Sequence, residues 1–217
     1  MKTITVRGSG RVSVKPDLIV VSMELKTVDK KYDKTLENAA RRVDLLNDSL
    51  EKAGFAQKSV KTTSFDVNTK YESVKDKDGK YKNVFAGYVC TQSLKIEFDF
   101  DTKMLAVALS AIADSLTEPE FSVSFTVKDP SAISDRLLQS AAENARQKAQ
   151  VLCSASGVKL GKLVSIDYGM NETSFVSDTN YMVARTCLKS APLLANIDME
   201  PDDINVKDSA TFVWEIE

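Results

Sequence analysis

The sequence predicts an α+β protein built on a mostly antiparallel, twisted sheet with three helices, the two long ones packed on it. Three observations predict this. Phe121, Val123, Phe125 and Val127 alternate with Ser122, Ser124, Thr126 and Lys128, which is the period of a half-buried strand. Ile133, Leu137, Ala141, Ala145 and Ala149 recur at every fourth position, the spacing of one helix face. Between two further alternating segments lies Asp78-Gly79, the dipeptide preferred in tight hairpin turns, so those segments run antiparallel.

The chain opens with two β-type runs between Ile4 and Leu25, separated by Gly8, Gly10 and a Pro16-Asp17 pair. Ile19, Val21, Met23 and Leu25 share one face of the second run. Proline suits a turn or a strand edge, so the two runs read as the opening hairpin of a sheet, with a β-turn or bulge at the glycines. Gly8-Ser-Gly10 is not a phosphate loop: the dinucleotide fingerprint needs a third glycine where Ser13 stands, followed by a helix rather than a strand.

Residues 30–53 read as a helix with Leu36, Ala40, Val43, Leu46, Leu50 and Ala53 on one face. Asp29 or Asp33 is its cap, and Gly54 sits beyond its end. Residues 59–72 and 82–100 form two strands. In the second, Val84, Ala86, Tyr88, Cys90, Leu94, Ile96 and Phe98 are expected on one face. Tyr71 and Tyr81 flank the turn between them, which implies a long ribbon extending from the sheet. A helix over 102–116 turns Leu105, Leu109 and Ile112 inward, capped by Asp101 or Asp99. Asp129-Pro130 opens the third helix as N-cap and first helical residue, with Leu138, Ala142, Leu152 and Cys153 beside its alanine stripe, and Gly157 ends it. Two last strands cover 162–168 and 204–216, joined by a long segment, 171–203, that contains Pro192 and Pro201. Each half of the chain combines a helix with paired strands, which leaves room for a duplicated α+β unit.

With 217 residues the chain fits one large domain or two small ones. A net charge of −2, with acidic and basic residues interleaved, gives no cationic surface for nucleic acid or an anionic membrane. No run approaches the ~20 apolar residues of a membrane helix, so no membrane insertion is expected. Residues 1–8 have no apolar signal core, and three widely spaced cysteines make a poor disulfide framework. The chain as it stands is therefore expected to be cytoplasmic, or periplasmic or exported if a signal peptide was removed.

Histidine is absent, which removes the commonest general base and the commonest metal ligand together. Cys90 and Cys153 fall on apolar faces and read as core residues. Cys187, near Arg185, reads as an incidental thiol, because no histidine can activate it. Asp66, Asp76, Asp78, Asp202 and Asp203 are the densest carboxylates, but Asp76-Lys-Asp78-Gly79 lacks the ligand ladder and closing Glu of a calcium loop. Glu118-Pro-Glu120 lies where a loop enters a strand. No catalytic, cofactor-binding or metal site, no cofactor and no enzymatic activity are therefore expected.

Two features point instead to association. The ribbon carries Phe65, Val67, Tyr71, Tyr81, Val84 and Phe85, more apolar surface than a free arm exposes. Residues 181–199, with Met182, Val183, Leu188, Leu193 and Leu194, are too apolar for a free linker. Tyr71, Tyr81, Val84, Phe85, Met182, Val183, Leu188, Leu193 and Leu194 are the interface candidates. The small-residue stripe of the third helix admits two readings: close packing on its own sheet, or contact with a second subunit.

The wording of Ile4 to Leu25, with its Val-x-Gly-x-Gly segment and a Pro-Asp before the first long strand, resembles the N-terminal signature of the SIMPL-domain family. Gly87-Tyr88, the alanine-rich helix ending at Gly157 with Val158-Lys-Leu-Gly-Lys-Leu-Val-Ser165 after it, and Met199-Glu-Pro-Asp-Asp-Ile-Asn-Val206 with Ala210 are similar to the family's pattern in the same order. The resemblance implies a single SIMPL-like domain over 1–217, bacterial origin and a family without established catalysis, many of whose members look exported. The expectation is a non-enzymatic structural or interaction protein acting as a homo-oligomer. The rival expectation is a module holding a small apolar ligand between sheet and helices.

Overall fold

The computed structural model describes residues 2–75, 80–169, 173–183 and 200–217, with the backbone alone for 180–183. In chain order the elements are β1 Thr3–Val14, β2 Leu18–Asp29, α1 Tyr32–Lys52, β3 Lys61–Lys75, β4 Tyr81–Asp99, α2 Thr102–Asp114, β5 Glu120–Thr126, α3 Pro130–Ala155, β6 Leu160–Asp167, β7 Val176–Val183 and β8 Ile204–Ile216. The α+β class and the antiparallel pairing hold. The strands are dealt into two sheets, of order β1-β8-β6 and β3-β4-β2-β5-β7. The chain divides into two compact units, one of Met1–Asp17, Thr126–Asp178 and Pro201–Glu217, the other of Leu18–Phe125 and Thr179–Glu200.

In the first unit β1 pairs along its whole length with β8, from Thr3↔Glu215 to Val14↔Ile204, and β6 pairs with the other edge of β8. This corrects the expected opening hairpin. The strand before Pro16-Asp17 and the strand after it belong to different sheets. Pro16-Asp17 does not close a turn between them: the Asp17 N–H donates to the Thr126 carbonyl at 3.0 Å, and its carboxylate accepts from the Lys128 N–H at 2.8 Å.

Gly8 and Gly10 are likewise in no turn or bulge. They sit in unbroken register opposite Ala210 and Asp208, facing α3. A Cβ on Gly10 would overlap the Leu137 carbonyl oxygen, and one on Gly8 would overlap the Ala141 carbonyl oxygen and come within 2.7 Å of the Ala145 Cβ. The glycines and the Leu137, Ala141, Ala145 stripe are thus two halves of one close strand–helix contact. Packing on its own sheet accounts for the stripe. On either side of this contact lie small cores, Val6 with Ala149, Phe212 and Trp214, and Val12 with Ile133, Ile204 and Val206. The Asp129 carboxylate caps α3 at the Ala132 N–H, and Gly157 follows it at φ +69°, as the sequence predicts.

The second unit holds the larger core. Ile19, Val21, Met23 and Leu25 of β2, Leu94 and Ile96 of β4, and Phe121, Val123 and Phe125 of β5 bury one sheet face against Leu46 and Leu50 of α1 and Leu105, Leu109 and Ile112 of α2. Asp101 caps α2 by accepting from the Lys103 and Met104 N–H groups. On α1 the inward face is Thr35, Ala39, Leu46 and Leu50, so the expected Ala40 is exposed and its neighbour takes its place. Neither Asp29 nor Asp33 is the N-cap. That position is Lys31, whose N–H donates to the Asp29 carboxylate, while the Thr35 hydroxyl donates to the Lys31 carbonyl at 2.9 Å. Arg42 fixes α1 to its surroundings by donating to the carbonyls of Lys26 and Thr117 and to the Thr27 hydroxyl. The long segment between the last two expected strands contains one more, β7.

Candidate interaction surface

The ribbon expected from the Asp78-Gly79 turn is present, although residues 76–79 lie outside those described. β3 and β4 stay paired from Ser64↔Ser93 to Lys75↔Tyr81. One irregularity decides which side chains meet. Lys70 pairs with Gly87 and Tyr71 with Phe85, so Ala86 is an extra residue in β4. Gly87 beside it has φ +131°, a backbone shape that L side chains rarely adopt, and a Cβ there would overlap the Asp29 carbonyl oxygen.

The bulge reverses the facing of everything beyond it. Cys90, Leu94 and Ile96 continue the buried face as expected, and Tyr88 shares it. Val84 is carried to the opposite face, and Phe85 takes its place. This corrects the single expected face from Val84 to Phe98. As a result four aromatic rings meet edge to face in one row. Tyr71 to Phe85 is 5.9 Å between centroids, Phe85 to Tyr88 is 5.4 Å, and Tyr88 to Tyr32 at the start of α1 is 5.5 Å. Tyr81 projects from the same face. The sheet face that α1 covers further along therefore continues onto the ribbon, where no other described element covers it. Tyr71 is 59% exposed, Phe85 46% and Tyr81 75%. Val84 and Val74 are half exposed on the reverse face. On the edge strand, Phe65 is 52% exposed.

Of the expected interface residues, Tyr71, Phe85 and Tyr81 are thus brought together, and Val84 lies behind them. Met182 and Val183 end β7, with their side chains outside the described set. Leu188, Leu193 and Leu194 lie outside it altogether, as do Cys187, Asp76 and Asp78. Tyr32 and Tyr88 were missed from the sequence. Gly87 is the residue that could have signalled the bulge joining them to Phe85.

The remaining candidates are dispersed. Cys90 and Cys153 are buried, and burial together with the charge of Asp66 raises the Cys90 thiol above its usual range. Among the described residues no group of three His, Cys, Asp or Glu could hold a metal ion. No helix among them is long and apolar enough to cross a membrane. One groove of about 540 Å³ lies on the face of the second unit's sheet away from the helices, lined by Ser22, Glu24, Ser93, Lys95, Glu120 and Ser122. Another, of about 590 Å³, runs beside α1 and α2 past Leu45, Val107 and Leu116. Between sheet and helices the space is filled by Leu25, Leu46, Leu50 and Leu94, each at most 1% exposed.

In the first unit the Tyr168 hydroxyl donates to the Asp208 carboxylate at 2.9 Å. That bond, then desolvation, then the Asp208 charge, raise the phenol above its usual range. The protonated phenol is the form the fold favours. Its contribution is present below the unfolded tyrosine value of about 10 and is lost as pH rises through the higher folded one. In an ultraviolet titration, Tyr168 should ionise above the usual phenol range, and Asp208→Asn should lower its midpoint. An unchanged curve in that variant would contradict the assignment.

The family model SIMPL, described as protein of unknown function (DUF541), matches residues 4–214. The chain belongs to the SIMPL family. It is also similar to the 26 kDa periplasmic immunogenic proteins of Brucella abortus (strain S19) and of Brucella melitensis biotype 1. Each is 24% identical over 166 residues, covering 75% of this chain and 65% of the relative. The match thus takes in somewhat less than two thirds of those SIMPL relatives' length. In this SIMPL chain the Gly-x-Gly segment serves the contact with α3, and Gly87-Tyr88 places the bulge and one ring of the aromatic row.

Proposed function

We propose that this SIMPL protein works without chemistry of its own, as an interaction module that assembles with copies of itself through the β3–β4 ribbon. The uncovered aromatic row carries the reading. Burying a large apolar side chain stabilises by about 1.5–3 kcal/mol, and aromatic residues dominate the energetics of protein interfaces. A row of four rings, with Tyr71 and Phe85 exposed in it and held in place by a bulge, is surface that association would use. The lack of histidine in the sequence supports a non-catalytic role. The net charge of −2 supports a protein partner over nucleic acid. The names of the Brucella relatives support a periplasmic location for this chain in preference to the cytoplasmic one.

The test is the double variant Tyr71→Ser/Phe85→Ser. At about 2 kcal/mol for each ring lost from an interface, assembly should weaken by roughly a hundredfold or more. Sedimentation velocity should then show a lower mass than wild type, with far-ultraviolet circular dichroism unchanged, because both rings are exposed in the single chain. An unaltered mass would exclude the row from the interface.

A further inference from the structure

The free edge of β3 is self-complementary, and we propose that it pairs antiparallel with β3 of a second copy about a two-fold axis at Asn68. The inference rests on the assembly reading above and adds to the face contact of the aromatic row an edge contact through Phe65 and Tyr71.

Among the described strands β3 is the outermost of its sheet, with β4 on one side only. An unpaired edge presents a row of N–H and C=O groups that another strand can complete. From Ser64 to Lys75 the strand itself carries no extra residue, the one bulge there lying in β4. Its segment Phe65-Asp-Val-Asn-Thr-Lys-Tyr71 reads as a match to its own reverse. With Asn68 opposite Asn68 of the copy, Asp66 falls opposite Lys70, Phe65 opposite Tyr71 and Val67 opposite Thr69, and symmetry repeats each pair. Directly opposed residues share a sheet face. The Asp66–Lys70 pairs would then lie on the face away from the helices, and the Phe65–Tyr71 pairs on the helix side, continuing the aromatic row across the junction. Phe65 and Tyr71 are both more than half exposed in the single chain, and Asp66 and Asn68 are also exposed. Lys70 has its ammonium 3.1 Å from Glu72 on that outer face, so the Asp66 of the copy would join an existing ion pair.

The register is specific. Two residues one way, Asp66 would face Glu72, a like-charge pair. Two residues the other way, Phe65 would face Thr69 and Asp66 would face Asn68, which loses both kinds of pair. In the proposed register two five-stranded sheets become one of ten strands, with an isologous interface of the kind closed dimers use.

Charge reversal tests the pairing. Asp66→Lys alone and Lys70→Asp alone each place like charges opposite one another twice, and each should weaken association by about tenfold or more. The double variant Asp66→Lys/Lys70→Asp should recover it. Cysteines then read the register in a Cys187→Ser background. Residues at position 68 would lie ~5 Å apart across the axis, so Asn68→Cys should cross-link with a short bis-maleimide. Residues at position 72 would lie about 27 Å apart, so Glu72→Cys should not. Efficient linking at 72 but not at 68, or a double variant no stronger than the singles, in a protein that still assembles, would overturn this register and leave the assembly reading standing. A wild-type chain that sediments as a monomer at micromolar concentration would overturn both.

Discussion

Gly10→Ala is expected to cost about 3 kcal/mol or more, because the added methyl would overlap the Leu137 carbonyl oxygen of α3. A flexible side chain could step aside, but a helix carbonyl cannot move without shifting the helix. β1 cannot retreat either, since its register with β8 is continuous through this point. Gly169→Ala is the control, with nothing within 4 Å of the new Cβ. The single tryptophan, Trp214, is buried in the same unit and stacks on Phe212 at 5.5 Å, so its fluorescence follows the unfolding concerned. Equal urea midpoints for the two variants would mean that β1 and α3 are not in the contact described.

Phe125→Ala should lower stability by about 3–5 kcal/mol, the cost of truncating a fully buried aromatic. The Phe125 side chain is 0% exposed and its ring lies 6.1 Å from that of Phe100. Alanine would leave a void in the core of the second unit, where tightly packed neighbours relax only in part. Ser124→Ala, on the other face of β5, should cost well under about 1 kcal/mol, its 3.5 Å bond to the Val20 carbonyl being long. Urea unfolding followed by circular dichroism separates the two. Similar losses would contradict the strand register.

Much of the fold was legible because its period is local. The alternation of Phe121 to Val127 and the fourfold spacing of Ile133 to Ala149 fix which side faces inward, and the structure buries all of these. Caps were legible where short polar side chains stood at the right step, as at Asp101 and Asp129. The partner of the first strand was not. Alternation names a face and not a neighbour, and Thr3 finds Glu215 near the far end of the chain. Gly8 and Gly10 look the same in a sequence whether they supply a turn or admit a helix carbonyl. The candidate surface was half legible. Exposed aromatics at positions 71, 81 and 85 follow from the ribbon, but their alignment with Tyr88 and Tyr32 depends on a single extra residue at Ala86, which leaves no apolar pattern behind.

The central claim is that the ribbon joins copies of this chain, and the mass of the wild-type protein in solution tests it most directly. Sedimentation equilibrium at micromolar concentration should give a closed multiple of the 23.9 kDa chain mass, falling on Tyr71→Ser/Phe85→Ser substitution. A wild-type mass of one chain across that concentration range would contradict the account.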